Sequence, residues 1–154
     1  AMGNKITLET KPATGYAFNA PYLFIDGIRG VNNFRSGEWA GWQGEPLEVI
    51  IDMNGETYDN VAVGTFIAKY DWIFNPKSII ISTSENGEAF TEIGKAEYEA
   101  EGEKVPDGLK EYTVTFPETS AKYLKVHVET VTIPQWHGGA GSPGFIFVDE
   151  ILVR

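Results

Sequence analysis

Cysteine is absent from the 154 residues, which excludes disulfides, thiolate metal sites and a cysteine nucleophile. Histidine is scarce: only His127 and His137 are present. The chain also has no H-E-x-x-H, no phosphate-binding P-loop and no G-x-S-x-G elbow. Basic residues are few, with 12 Lys and Arg against 22 Asp and Glu and a net charge of −10. That balance argues against nucleic acid, which recruits Lys/Arg patches, and against anionic lipid surfaces. No apolar run approaches the roughly 18 residues of a membrane span, so no membrane insertion is expected.

A chain of this length holds a core of its own without staples. Ala1-Met2-Gly3 reads as a cloning remnant, leaving residues 4–154 as a single domain cut from a larger protein. Ten carboxylates lie between Glu85 and Glu118, against Lys95, Lys104 and Lys110. They lack clustered loop spacing, so this stretch reads as a solvated face rather than a metal site.

Hydrophobic residues recur with a period of two. Leu47, Val49 and Ile51 alternate with Glu48, Ile50 and Asp52; Tyr112, Val114 and Phe116 with Thr113 and Thr115; Leu124, Val126 and Val128 with Lys125, His127 and Glu129. These are half-buried strands. Lys77–Thr83 holds three consecutive isoleucines and reads as buried on both faces. Strands are expected at 5–9, 46–53, 60–69, 77–83, 88–92, 95–100, 109–116, 121–131 and 145–153. Asn86-Gly87 suggests a type I′ hairpin turn. No amphipathic helix exceeds about two turns, so the fold class is all-β, an antiparallel sandwich or jelly roll. Residues 10–45 form a long irregular stretch holding Tyr16, Phe18, Tyr22, Phe34, Trp39 and Trp42. Loops of that length are functional or act as packed caps.

Three sets of residues carry candidate chemistry. The first is a hard-cation site. Asp26 and Glu150 are its candidate carboxylates, with backbone carbonyls from about Phe24 to Ser36, since Ca²⁺ takes six to eight oxygens. The alternative is that Asp26 caps a turn and Glu150 pairs with a Lys or Arg. Asp149 and Glu150 are strand neighbours, expected to point to opposite faces and so unable to form a glycosidase pair. The second set is aromatic: Trp39, Trp42, Tyr70, Trp72, Phe74 and Trp136. An exposed ring complements the apolar face of a pyranose, and His137, Asp71, Arg29 and Arg35 can read hydroxyls beside it. The alternative is core packing, which suits Trp72-Ile73-Phe74-Asn75-Pro76 better than Trp136-His137 in its Gly-rich loop. The third is catalysis, which has little support here: His127, on the polar face of a strand, reads as a solvated residue.

Six stretches in order, Leu23–Gly30, Trp39–Trp42, Leu47–Met53, Trp72–Phe90, Ala121–Val126 and Trp136-His137 with Phe147–Ile151, together resemble the discoidin domain, the coagulation factor V/VIII (F5/8) type C domain. Leu23-Phe24-Ile25-Asp26-Gly27-Ile28-Arg29-Gly30 resembles its L-T-D-G loop, and Trp39-Ala40-Gly41-Trp42 the W-x-G-F/W that follows. Leu47–Met53 is similar to its hydrophobic-I-D-L-G strand. Trp72–Ile79 with Ser82–Phe90 is similar to W-I-F-x-P…S-x-D-G-x-x-F, and Ala121–Val126 to A-R-Y-V-R-V. Trp136-His137 with Phe147–Ile151 resembles the C-terminal discoidin-type module of bacterial β-hexosaminidases (chitobiases).

The resemblance implies an eight-stranded, galactose-binding-like jelly roll with its termini close together. It implies a structural Ca²⁺ between the first loop and the last strand, here Asp26 and Glu150. It further implies a ligand site on loops at one end, built on an aromatic platform. The function expected is a non-catalytic carbohydrate-binding accessory domain of an exported glycoside hydrolase, β-hexosaminidase/chitobiase-like. The expected ligand residues are Trp136, His137, Trp42, Arg29 and Asp71, the ligand an amino-sugar or galactose-type glycan, and the protein partner the parent catalytic domain. A monomer outside the cytoplasm is expected. The alternative is a structural domain packed on its parent enzyme with no ligand of its own.

Overall fold

The computed structural model describes residues 4–30, 33 and 38–154; Ala1-Met2-Gly3, Phe34 and Arg35 lie outside the described residues. The described residues form nine strands: β1 (Ile6–Leu8), β2 (Ala40–Gln43), β3 (Leu47–Asp52), β4 (Tyr58–Ile67), β5 (Pro76–Ser84), β6 (Thr91–Glu97), β7 (Gly108–Thr119), β8 (Tyr123–Thr130) and β9 (Phe145–Val153). They make a five-stranded sheet, β1-β3-β8-β5-β6, and a four-stranded sheet, β2-β9-β4-β7. The pairings are antiparallel throughout.

The two-residue period explains the packing. Leu47, Val49, Ile51, Ile79, Ile81, Leu124, Val126 and Val128 point inward from the first sheet. They meet Val61, Val63, Ile146, Val148 and Ile151 from the second, in one core cluster with 0% exposure. Fully burying each such side chain stabilises by about 1.5–3 kcal/mol relative to leaving it exposed.

Three local expectations are corrected. Residues 88–92 and 95–100 do not form two strands but one, β6, at the sheet edge. Ile80 is half-exposed, so β5 is buried on one face rather than two. The turn with both central residues at positive φ is not Asn86-Gly87, where only Gly87 adopts it. It is Asn54-Gly55 (φ 53° and 78°), closed by a hydrogen bond from the Glu56 amide to the Met53 carbonyl. That tight turn passes the chain from β3 in one sheet to β4 in the other.

The stretch between β1 and β2 is a packed cap. Tyr16 and Trp39 cover the outer face of the four-stranded sheet with Phe66, Ile73, Phe145 and Phe147, a second apolar layer. The chain is tied there by hydrogen bonds from Ala13 N–H to the Gly41 carbonyl and from Gly41 N–H to the Tyr16 carbonyl. The outer face of the five-stranded sheet has no comparable cover among the described residues. Both termini reach one end: Asn4 bonds the Asp52 carbonyl, and Arg154 pairs with Asn60. Loops 68–75, 98–107 and 131–144 gather at the other.

A β-bulge in β9 changes where two carboxylates point. Gly64 pairs with Glu150 and Thr65 with Val148, leaving Asp149 unmatched. Val148 and Ile151 both belong to the central core. Asp149 and Glu150 between them therefore both face outward, because a bulge inserts a residue and breaks strict alternation. The expectation of opposite faces is overturned.

Gly41 in β2 lies under the Phe147 ring, and an added Cβ there would sit 2.7 Å from it. Gly41→Ala is expected to lower unfolding free energy by about 1–3 kcal/mol, as overpacking does. Gly138→Ala, with nothing within 4 Å, should stay within about 0.5 kcal/mol. Urea unfolding of both variants checks the contrast.

Candidate functional site

Two places bring the sequence candidates together: the loop laid over β9, and the loop end of the sandwich.

At β9, loop 26–30 lies against the bulge. Asp149 is fully buried; its Oδ2 accepts hydrogen bonds from Arg29 Nε (2.8 Å) and from the Gly30 amide (2.6 Å). Arg29 also reaches Glu111 at 3.2 Å. Burial works against the guanidinium's charge, yet the hydrogen bond and charge of Asp149, with Glu111 and Glu150, hold its pKa above the ordinary value. Gly64 is needed beneath this pair, since a Cβ would collide with the Asp149 carboxylate and the guanidinium. Arg29 thus fastens the loop to the sheet, and its guanidinium is committed to that role rather than to reading hydroxyls.

Glu150 is 2% exposed. Its Oε2 accepts the Gly27 amide at 3.1 Å, and its Oε1, like Asp149 Oδ1, is buried with no hydrogen-bond partner among the described residues. Burial chiefly, with the nearby charges of Asp26 and Asp149, pushes its pKa up to about 7; the Gly27 amide acts against this. Asp26 is exposed at the end of the 3-10 turn Tyr22–Ile25 and accepts the Ile28 amide through Oδ1. No Lys or Arg bonds Glu150 among the described residues. Among them there is also no cluster of three or more His, Cys, Asp or Glu side chains fit to hold a metal. What exists is a two-carboxylate corner with an orphaned buried oxygen. That donor set fits a hard cation, which takes carboxylate and carbonyl oxygens.

At the loop end the aromatic residues divide. Trp39, Trp42 and Phe74 are fully buried. Trp42 packs on Phe24 and donates Nε1–H to Thr10 Oγ1, so it has no face to offer a sugar; its expected stacking role is corrected. Tyr70 is 74% exposed and Asp71 is exposed on the 3-10 turn Lys69–Asp71. Trp72 and Trp136 are half-buried. They flank His137 edge-on, at ring-centre separations of 6.1 and 5.4 Å, and Trp136 leans on Phe74 at 6.1 Å.

His137 is the joint between two loops. Nε2 lies 2.7 Å from the Lys69 carbonyl, and Nδ1 accepts the Gly139 amide at 2.8 Å. Since a carbonyl can only accept, Nε2 carries the proton and the imidazole is neutral in this arrangement. Both nitrogens are engaged within the chain, so the expectation that His137 reads a ligand hydroxyl gives way to a positioning role. His127 is likewise not a simply solvated residue. It bridges Glu48 (2.8 Å) and Glu129 (2.7 Å), and although its burial opposes charge, these carboxylates raise its pKa.

Lys69 was not singled out by the sequence, yet it organises this end. Its side chain is 3% exposed. Nζ donates to the Val105 carbonyl (2.6 Å) and to Asp107 (2.5 Å), with Glu101 at 3.7 Å. One residue therefore binds loop 98–107 through its side chain and loop 131–144 through its carbonyl. A lysine ending the apolar run Phe66-Ile67-Ala68 was the available signal.

Glu150 yields a pH prediction. Its folded pKa, about 7 against an ordinary 4.5, means that the folded state holds the proton more tightly than the unfolded state. In metal-free protein this group's contribution is full below about 4.5 and declines as pH rises toward 7. Glu150→Gln should remove that slope. Denaturant midpoints for both proteins across this range test it; parallel curves would contradict the assignment.

The chain matches the F5/8 type C domain over residues 7–144. No curated protein matches it. Among solved structures it is similar to the Clostridium perfringens module CpGH89CBM32-5, in complex with GalNAc-β-1,3-galactose, at 18% identity and TM-score 0.55. That likeness covers 97% of this chain and 94% of the other. It is similar to chitosan-binding module 1 of a Paenibacillus chitosanase/glucanase at 16% identity and TM-score 0.56, covering 100% and 96%. A Streptococcus pneumoniae fucose-binding module matches at 18% identity and TM-score 0.57, covering 99% and 92%. At such identities these likenesses speak to the fold, and they agree with the two-sheet sandwich described above. The match over most of its length makes this chain a member of the F5/8 type C, or discoidin, domain family.

Proposed function

We propose that this domain is a non-catalytic carbohydrate-binding module that holds a parent glycoside hydrolase, β-hexosaminidase/chitobiase-like and exported, close to its glycan. The observation that carries the reading is the loop end. Two half-buried indoles, Trp72 and Trp136, are braced by His137 beside the exposed Tyr70 and Asp71. Rings held by their neighbours lose little freedom on stacking, so the platform is preorganised. Trp136 stacks on a pyranose face and Asp71 accepts from its hydroxyls. The similar structures named as binding GalNAc-β-1,3-galactose, chitosan and fucose support a glycan as the ligand class. The expected affinity is weak, with Kd near ~1 mM or about −4 kcal/mol, and tethering to the enzyme amplifies it.

The same reading gives Asp26 and Glu150 a structural Ca²⁺. It would supply the partner that Glu150 Oε1 lacks, neutralise the facing carboxylates and fasten loop 26–30 to β9. A second reading, a structural domain packed on its parent enzyme, is favoured by another observation. Phe18, Tyr22 and Ile28 are 46%, 61% and 55% exposed on the 10–30 stretch, on the side of the cap rather than the aromatic platform.

Titration with N-acetylglucosamine, N-acetylgalactosamine and galactose, alongside a glycan array, tests the binding claim. Trp136→Ala should abolish binding and leave the fold intact. Trp42→Ala should cost about 3–5 kcal/mol of stability, as removal of a buried indole does. Silence across the array would favour the structural reading. For the metal, adding Ca²⁺ to chelated protein should raise the melting temperature and flatten the pH slope assigned to Glu150, since a ligand of the folded state stabilises it. Identical melting curves would remove the cation.

A further inference from the structure

A polar groove of about 680 Å³ opens on the outer face of the five-stranded sheet, next to the loop end. Ser78, Glu97 and Glu129 form its floor across β5, β6 and β8, with Lys77, Lys95 and Thr132 around them. We infer that this groove binds the second and following sugar residues of a glycan chain whose first residue sits on the Trp136 platform. The inference rests on the carbohydrate-binding reading above and extends it to oligosaccharides.

Three observations carry it. The groove and the platform share one support: Ala100 and Val131 line the groove, and both pack in the small apolar cluster of Phe74 and Ile133 against which Trp136 also packs. The walls are built rather than draped. Asn75, 2% exposed, donates to the Glu99 carbonyl at 2.9 Å and accepts the Glu101 amide at 3.0 Å, which fixes the 98–101 wall. The opposite wall is fixed by hydrogen bonds from Ile133 N–H to the Ser142 carbonyl and from Gly144 N–H to the Val131 carbonyl. Finally, the lining mixes acceptors and donors: carboxylates at Glu97 and Glu129, which are bonded through Oε1 to Lys95 and His127 and keep Oε2 as an acceptor, an ammonium group at Lys77, and hydroxyls at Ser78 and Thr132. A sugar hydroxyl both donates and accepts, so a neutral polyhydroxylated chain satisfies this surface, whereas a purely apolar ligand does not. The volume falls within the range of about 300–1,000 Å³ typical of small-molecule sites.

The groove is open and its contacts are individually weak, so it acts on chain length rather than on the identity of the first sugar. The full chain is titrated by tryptophan fluorescence with N-acetylglucosamine, galactose and fucose. It is then titrated with β-linked oligomers of N-acetylglucosamine and of galactose from two to six residues. Oligomers are expected to bind about tenfold more tightly than their monosaccharide, a gain of order 1.4 kcal/mol. The exposed-residue variant Lys77→Ala/Glu97→Ala/Thr132→Ala should lose that gain, keep the monosaccharide affinity and keep the melting midpoint. Trp136→Ala should lose both affinities. Equal affinity at every length, or a triple variant that retains the gain, overturns the groove while leaving the platform standing. No binding by any sugar overturns platform and groove together.

Discussion

The buried contact between Asp149 and Arg29 determines how the first third of the chain is held. A carboxylate with no exposure is tolerable only with a cation and donors around it. Arg29 and the Gly30 amide supply these. Because the pair draws loop 26–30 onto the four-stranded sheet, the preceding aromatic stretch is brought back over that sheet's outer face. Truncating Arg29 would leave the Asp149 carboxylate buried with the Gly30 amide as its remaining donor, whereas the Arg29 side chain, 41% exposed, stays in reach of water. Gly64 is part of the same device, since only a residue without Cβ leaves room for the two side chains.

The two charged sites do different work with similar means. At β9, three acids (Glu111, Asp149 and Glu150) crowd one arginine, and two carboxylate oxygens, Asp149 Oδ1 and Glu150 Oε1, are left without a hydrogen-bond partner among the described residues, a surplus of acceptors over donors. At the loop end, Lys69 is surrounded by a carbonyl and two acids, and its charge is spent on fixing loop 98–107. His137 is similarly spent, bonded at both nitrogens. The groups that hold the platform in place are therefore not those that would touch a sugar. What remains outward is Tyr70, Asp71 and the free edges of Trp72 and Trp136.

Much of the fold was legible because the period-two pattern depends only on local geometry. Leu47, Val49, Ile51, Leu124, Val126 and Val128 point inward as the alternation requires. The exceptions share one physical origin. β2 was hidden within an aromatic stretch because its first three residues are all buried, so no alternation marks it. Ile80 read as core because an isoleucine run carries no sign of which face is open. The turn at Asn54-Gly55 was passed over for Asn86-Gly87 because both pairs favour the same backbone, and only the crossing between sheets needs it at the first.

The sequence by itself determined the class of fold, the family and the pairing of an acidic first loop with the last strand, since these rest on periodicity and ordered motifs. It read Trp136 as more exposed than Trp72, whereas the two indoles are both half-buried. The tertiary structure alone decided which aromatics are spent on the core, as with Trp42. It also turned Asp149 and Glu150 to the same side through a bulge that no residue pattern announces. Burial and register are set by contacts far apart in the chain, and neighbouring residues carry little record of them.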